Sequence, residues 1–130
     1  MTRRVLLVDG GNPAMGRLFF EYFHRGHDYE VESVEYCDDA VTALLHRPFD
    51  LVLLLSIFSR WKTWPRARFS GIEMLKQMRA LHIPVPVLVV SQSILAEAKE
   101  EAVANGAFAF IPAPINLAEL DRLVALALAG

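Results

Sequence analysis

The sequence predicts a doubly wound α/β domain: a five-stranded parallel sheet in the order 2-1-3-4-5 with helices on both faces. Three observations predict it. Phe49 to Phe58 (FDLVLLLSIF) is apolar from Leu51 through Leu55, with no polar alternation, as a strand covered on both faces requires. Pro48 upstream and a Pro-containing loop downstream hold that run to strand length, which speaks against a helix. Apolar runs of the same kind recur along the chain with helix-periodic segments between them, and such alternation builds a parallel sheet through right-handed crossovers.

Taken in order, Arg4 to Val8 (RVLLV) is a first buried strand ending at Asp9, and Gly10-Gly11 supplies a tight turn. Asn12-Pro13 starts a first helix as N-cap and first-turn proline. Its core face is Met15, Leu18, Phe19, Tyr22 and Phe23, and Gly26 is its expected C-cap. Tyr29 to Tyr36 alternates valines with acids, as an edge strand does. Asp38 or Asp39 is the expected cap of a second helix through Val41, Leu44 and Leu45, stopped by Arg47-Pro48.

The central strand follows, then a loop from Ser59 to Ser70. Gly71 opens a third helix with Ile72, Leu75, Met78 and Leu81 on one face, and Val87 to Val90 is a fourth strand ending at Ser91. Ala96 to Asn105 is a small-residue, charged helix closed by Asn105-Gly106, and Ala107 to Ile111 is a short fifth strand. After Pro112-Ala113-Pro114, Asn116 and Glu119 form a capping-box-like pair ahead of Leu117, Leu120, Leu123, Val124 and Leu128. In this topology ligands bind beyond the carboxyl ends of the central strands, where Asp9 meets Leu55 and Ser56.

Composition narrows the function classes. The 130 residues suit one domain, 1–130, with no internal repeat or linker. A net charge of −2 speaks against a nucleic-acid-binding or membrane-seeking surface, and no apolar run reaches bilayer-spanning length. The single Cys37 cannot form an internal disulfide, and the opening segment is too short for a signal peptide; both point to the cytoplasm. His24, His27, His46 and His82 lie near helix ends, with neither cysteine nor paired acid at metal spacing, and read as surface residues. No further glycines follow Gly10-Gly11 in a nucleotide fingerprint.

Six stretches, taken in order, resemble the receiver domain of bacterial two-component response regulators: VLLVD at 5–9, NPAMGRL at 12–18, FDLVLLL at 49–55, GIEMLKQMR at 71–79, PVLVVS at 86–91 and GAFAFIPAP at 106–114. The resemblance implies a CheY-like, flavodoxin-like fold and a place in signal transduction. Receivers hold magnesium with a pair of acids after the first strand; here Asp9 is followed by Gly10 and Gly11, with one extra residue in the turn. Their phospho-accepting aspartate ends the third strand; here that position is Leu55, or Ser56 by the alternative spacing. Their phosphoryl-pairing lysine is replaced by Ala113, whereas the hydroxyl after the fourth strand persists as Ser91 and the switch aromatic as Phe110.

Phosphoryl transfer rests on positioning and charge neutralisation around a hard cation with oxygen ligands, and one carboxylate does not replace three acidic groups. The chain therefore reads as a pseudo-receiver: not an enzyme, with no metal or cofactor, working in signalling without phosphorylation. Two alternatives stand beside it. One is phosphorylation at Ser56, which lacks an evident activator. The other is a small-ligand sensor with Gly10, Gly11, Leu55, Ser91 and Ala113 lining an apolar pocket. The expected partner is another signalling protein or an output domain. A homodimer would use the face of the fourth helix, fifth strand and fifth helix, with Ala96, Ala102, Phe108 and Phe110 on it. The resemblance also implies a cis Ala113-Pro114 bond.

Ser59 to Ser70 is longer than the usual receiver connection. It carries Arg60, Lys62, Arg66 and Arg68 with no acid, interleaved with Trp61, Trp64 and Phe69. Such a mixture docks an acidic partner or stacks on bases. The plainer reading is a solvated loop whose tryptophans fold back over the pocket. Asp9 has a plain reading too, as the polar end of a strand.

Overall fold

Successive side chains of a strand point to opposite faces, so a run that is apolar throughout must be covered on both. The structure, a computed structural model, describes residues 2–9, 13–55, 71–91, 96–112 and 114–129, the side chains at 91 and 96–98 excepted. Its elements are β1 (Arg4–Val8), α1 (Pro13–Gly26), β2 (Glu30–Val34), α2 (Cys37–His46), β3 (Leu51–Leu54), α3 (Gly71–Ala80), β4 (Val87–Ser91), α4 (Ala96–Ala104), β5 (Ala109–Pro112) and α5 (Leu117–Ala129). The sheet runs β2-β1-β3-β4-β5 with every pair parallel, as the sequence predicts.

The alternation divides the core into two layers. Leu6, Val8, Val52, Leu54, Val87 and Val89 face one way and meet Ala40 and Val41 of α2, Leu75 and Met78 of α3 and Ala102 of α4. Val5, Leu7, Leu51, Leu53, Leu88 and Val90 face the other way and meet Phe19 and Phe23 of α1 with Leu120 and Val124 of α5. Each fully buried Val, Leu or Phe contributes about 1.5–3 kcal/mol, so the central strands anchor the domain.

The helices bury narrower stripes than the periodicity suggests. Leu18, expected on the core face of α1, and Leu81, expected on the apolar face of α3, are exposed, as are Leu45 and Leu117. Small residues, Gly16, Ala40, Ala43 and Ala102, take some of the inner positions beside the large ones and bring the helix backbones close to the sheet there. Leu81 lies past the end of α3, and Met74, fully buried, is the core residue in its place.

Helix ends depart from expectation at three points and agree at two. Gly26 is still helical, and the left-handed residue after α1 is Asp28, with φ 55°. The N-cap of α2 is Tyr36, which makes no side-chain cap bond; Asp38 and Asp39 lie in the first turn, where their charge favours the helix dipole. The α5 cap is half of a box: the Glu119 N–H donates to Asn116 Oδ1 at 3.1 Å, but the Glu119 carboxylate pairs with Arg122. Pro13 opens α1 as expected, while Asn12 lies outside the described residues. Gly106, with φ 102°, closes α4 through N–H bonds from Ala107 to the Ala102 carbonyl and from Gly106 to that of Val103.

Candidate strand-end site

The parallel register sets the site. The Leu55 N–H donates to the Val8 carbonyl at 2.9 Å, and the Asp9 N–H donates to the Val34 carbonyl at 3.0 Å. Asp9 and Leu55 thus leave β1 and β3 side by side at their carboxyl ends. Ser91 ends β4 on the neighbouring strand, with its backbone paired to Pro112 of β5. The topology brings Asp9 and Leu55 together as the sequence predicts, with Ser91 one strand further along. Gly10, Ser56, Ala113, the Ala113–Pro114 bond and the loop residues Arg60, Trp61, Lys62, Trp64, Arg66 and Arg68 lie outside the described residues.

Asp9 is half-buried, and Gly16 explains how α1 approaches it. A Cβ on Gly16 would stand 3.0 Å from the Asp9 Cβ and 3.1 Å from its Oδ2. Glycine inside a helix costs about 1 kcal/mol relative to alanine. Here it lets α1 lie directly on the acid. The sequence offered one sign of this, a glycine in mid-helix four residues into α1. An open hollow of about 480 Å³ adjoins it, lined by Asp9, Pro13, Gly16, Arg17, Phe20, Glu21 and Ser33.

Leu55 offers only hydrocarbon, and it packs against the layer between the sheet and α1/α5. A hard cation requires several oxygen ligands. Of the three strand-end positions, only that of Asp9 carries a carboxylate. This donor set does not fit the magnesium ion that receivers use.

The expected interface residues separate. Phe110 is partly buried against the α2–α4 layer, opposite Val89. Phe108 precedes β5 and is 46% exposed. Ala102 is fully buried and cannot belong to an interface, because the last turns of α4 use their smallest side chain to approach the sheet. His27 is also corrected: it is half-buried, stacked on Tyr29 with centroids 5.2 Å apart, and its Nε2 stands 3.5 Å from Asp121 Oδ1. The Tyr22 hydroxyl donates to the same carboxylate, joining α1 to α5, and burial with that contact pushes the phenol well above its usual range. Burial pushes the Cys37 thiol up to about 12, so the inert cysteine expected from the sequence has a physical cause.

No protein-family model and no curated protein matches the chain. Solved structures do. A CheY-like response regulator receiver domain protein from Methanospirillum hungatei superposes with a TM-score of 0.80 at 21% identity, covering 99% of this chain and 95% of the other. The chain has the receiver fold. A DNA-binding response regulator of the LuxR family from Staphylococcus aureus shares it, with a TM-score of 0.79 at 17% identity over 96% and 98% of the two chains. NtrX from Brucella abortus shares it at 24% identity and a TM-score of 0.79, covering 99% of this chain but 27% of its own. In the receiver fold, the carboxyl ends of β1, β3 and β4 are the place the topology assigns to a ligand.

Proposed function

We propose that this receiver fold is a signalling interaction module that works without phosphorylation. The observation that carries the reading is Leu55, a partly buried apolar side chain packed against the core at the end of β3, beside the Asp9 carboxylate. Phosphoryl transfer needs positioned oxygen ligands and a fixed counter-charge, and positions 55 and 113 supply hydrocarbon instead. Asp9 then serves as the polar end of β1 under Gly16 rather than as a metal ligand. The domain performs no catalysis in this reading. Its partner is a signalling protein or an output domain, a reading supported by the Brucella NtrX chain, of which a domain of this fold makes up about a quarter.

The test is titration of the full chain with magnesium and beryllofluoride, read by amide chemical shifts. The expected result is no saturable change at Asp9, Leu55 or Ser91. Saturable changes clustered there would overturn the reading in favour of an acceptor such as Ser56.

A further inference from the structure

Seven arginines lie among the described residues, and five of them are in ion pairs: Arg3 with Asp50, Arg4 with Glu30, Arg25 with Glu21, Arg47 with Glu32 and Arg122 with Glu119. The two outside that set, Arg17 and Arg79, each line an open hollow. Around Arg17 the charge is mixed, because Asp9 and Glu21 share its walls. Around Arg79 it is not. The second hollow, of about 380 Å³, lies between the last turns of α3 and α4 and the starts of β4 and β5, and among the residues lining it only Arg79 is charged.

Apart from Asn105, whose amide donates to the Glu101 carbonyl at 2.7 Å, the other side chains lining that hollow are apolar. Met78, Ile83, Val85 and Phe108 supply side chains, and Phe108 is nearly half exposed. Pro84 and Pro86 line it too and lack N–H groups, so recognition must come from side chains more than from an added strand. Gly106 opens the wall beside the cation: with φ 102° and no side chain, it leaves the Arg79 guanidinium 3.4 Å from where a Cβ would stand. An apolar trough with one cationic fork at its rim is complementary to an apolar side chain next to a carboxylate.

We infer that this hollow docks a short acidic-apolar peptide segment of a partner protein, with its carboxylate on Arg79 and its apolar side chain against Phe108, Ile83 and Val85. The inference does not depend on how the strand-end site works, since the hollow lies at the opposite end of the sheet, where β4 and β5 begin.

The experiment titrates the full chain with a blocked tetrapeptide of alternating leucine and aspartate, followed by amide shifts. Saturable shifts confined to Ile83, Val85, Gly106 and Phe108 are expected. Affinity should fall by at least about fivefold with the asparagine-for-aspartate peptide and with Arg79→Gln, as loss of a charge-assisted pair requires, and recover in part with Arg79→Lys. Arg79 is exposed, so an unchanged spectrum of the free variant confirms that it folds. No shifts at millimolar peptide, or equal binding by Arg79→Gln, would overturn the inference. So would the same residues shifting on concentration of the protein alone, which would assign the hollow to a second copy of the chain. Binding of the phosphate mimic at the strand ends would leave this result unchanged, so the two readings fail separately.

Discussion

Gly106, Cys37 and Tyr22 each carry a prediction at the scale of single residues. Gly106→Ala forces a side chain into φ 102° at the end of α4 and should cost about 1–2 kcal/mol, read by chemical denaturation. Burial, with Asp38 nearby, pushes the Cys37 thiol from its ordinary 9.0 up to about 12. Above pH 9 the unfolded chain loses that proton while the folded one keeps it, so the stabilisation is complete below pH 9 and lost towards pH 12. The slope approaches about 1.4 kcal/mol per pH unit from this group. Cys37→Ala should flatten the alkaline limb of a stability–pH curve; an unchanged limb would refute the burial argument. Tyr22→Phe removes the hydrogen bond to Asp121 and should cost about 0.5–1.5 kcal/mol. At this scale the sequence was partly legible. Gly106 announced itself as a helix stop and Cys37 as inert, since turn chemistry and the lack of a basic neighbour are local facts. The Tyr22–Asp121–His27 contact was not legible, because it joins residues about a hundred positions apart.

Helix faces and helix ends mark the limit of periodicity. The inner strands followed from apolar runs that need two covered faces and β2 from its alternation of valines with acids, and the sheet agrees pair by pair. The helices were placed, but their apolar faces fail at Leu18 and Leu81, which are exposed. Hydrophobicity alone favours leucine inside, whereas close helix–sheet approach favours glycine and alanine, and spacing cannot weigh one against the other. Two substitutions separate the cases. Leu120→Ala, in the layer against α1, should cost about 2–5 kcal/mol, while the exposed Leu45→Ala should stay within about 0.5 kcal/mol. Capping showed the same limit. Asn116 was recognised and bonds the Glu119 N–H, so Asn116→Ala should cost about 1 kcal/mol. Asp38 or Asp39 suits a cap by residue type, but the N-cap of α2 is Tyr36, two residues before Asp38.

For the whole molecule, topology decides where chemistry can happen and side-chain identity decides whether it does. The order β2-β1-β3-β4-β5 brings Asp9, Leu55 and Ser91 to one end of the sheet, and this was readable because strand order follows from connection rules. What was not readable is the packing around those positions, above all Gly16 on Asp9 and Leu55 in the α1/α5 layer. Among the described residues no helix is long and apolar enough to cross a membrane. The central claim concerns a covalent event, so intact-mass spectrometry of the full chain after incubation with magnesium and acetyl phosphate tests it most directly. The predicted result is an unmodified mass under conditions that label a phosphorylatable receiver run in parallel. A stoichiometric phosphoryl adduct on this chain would contradict it.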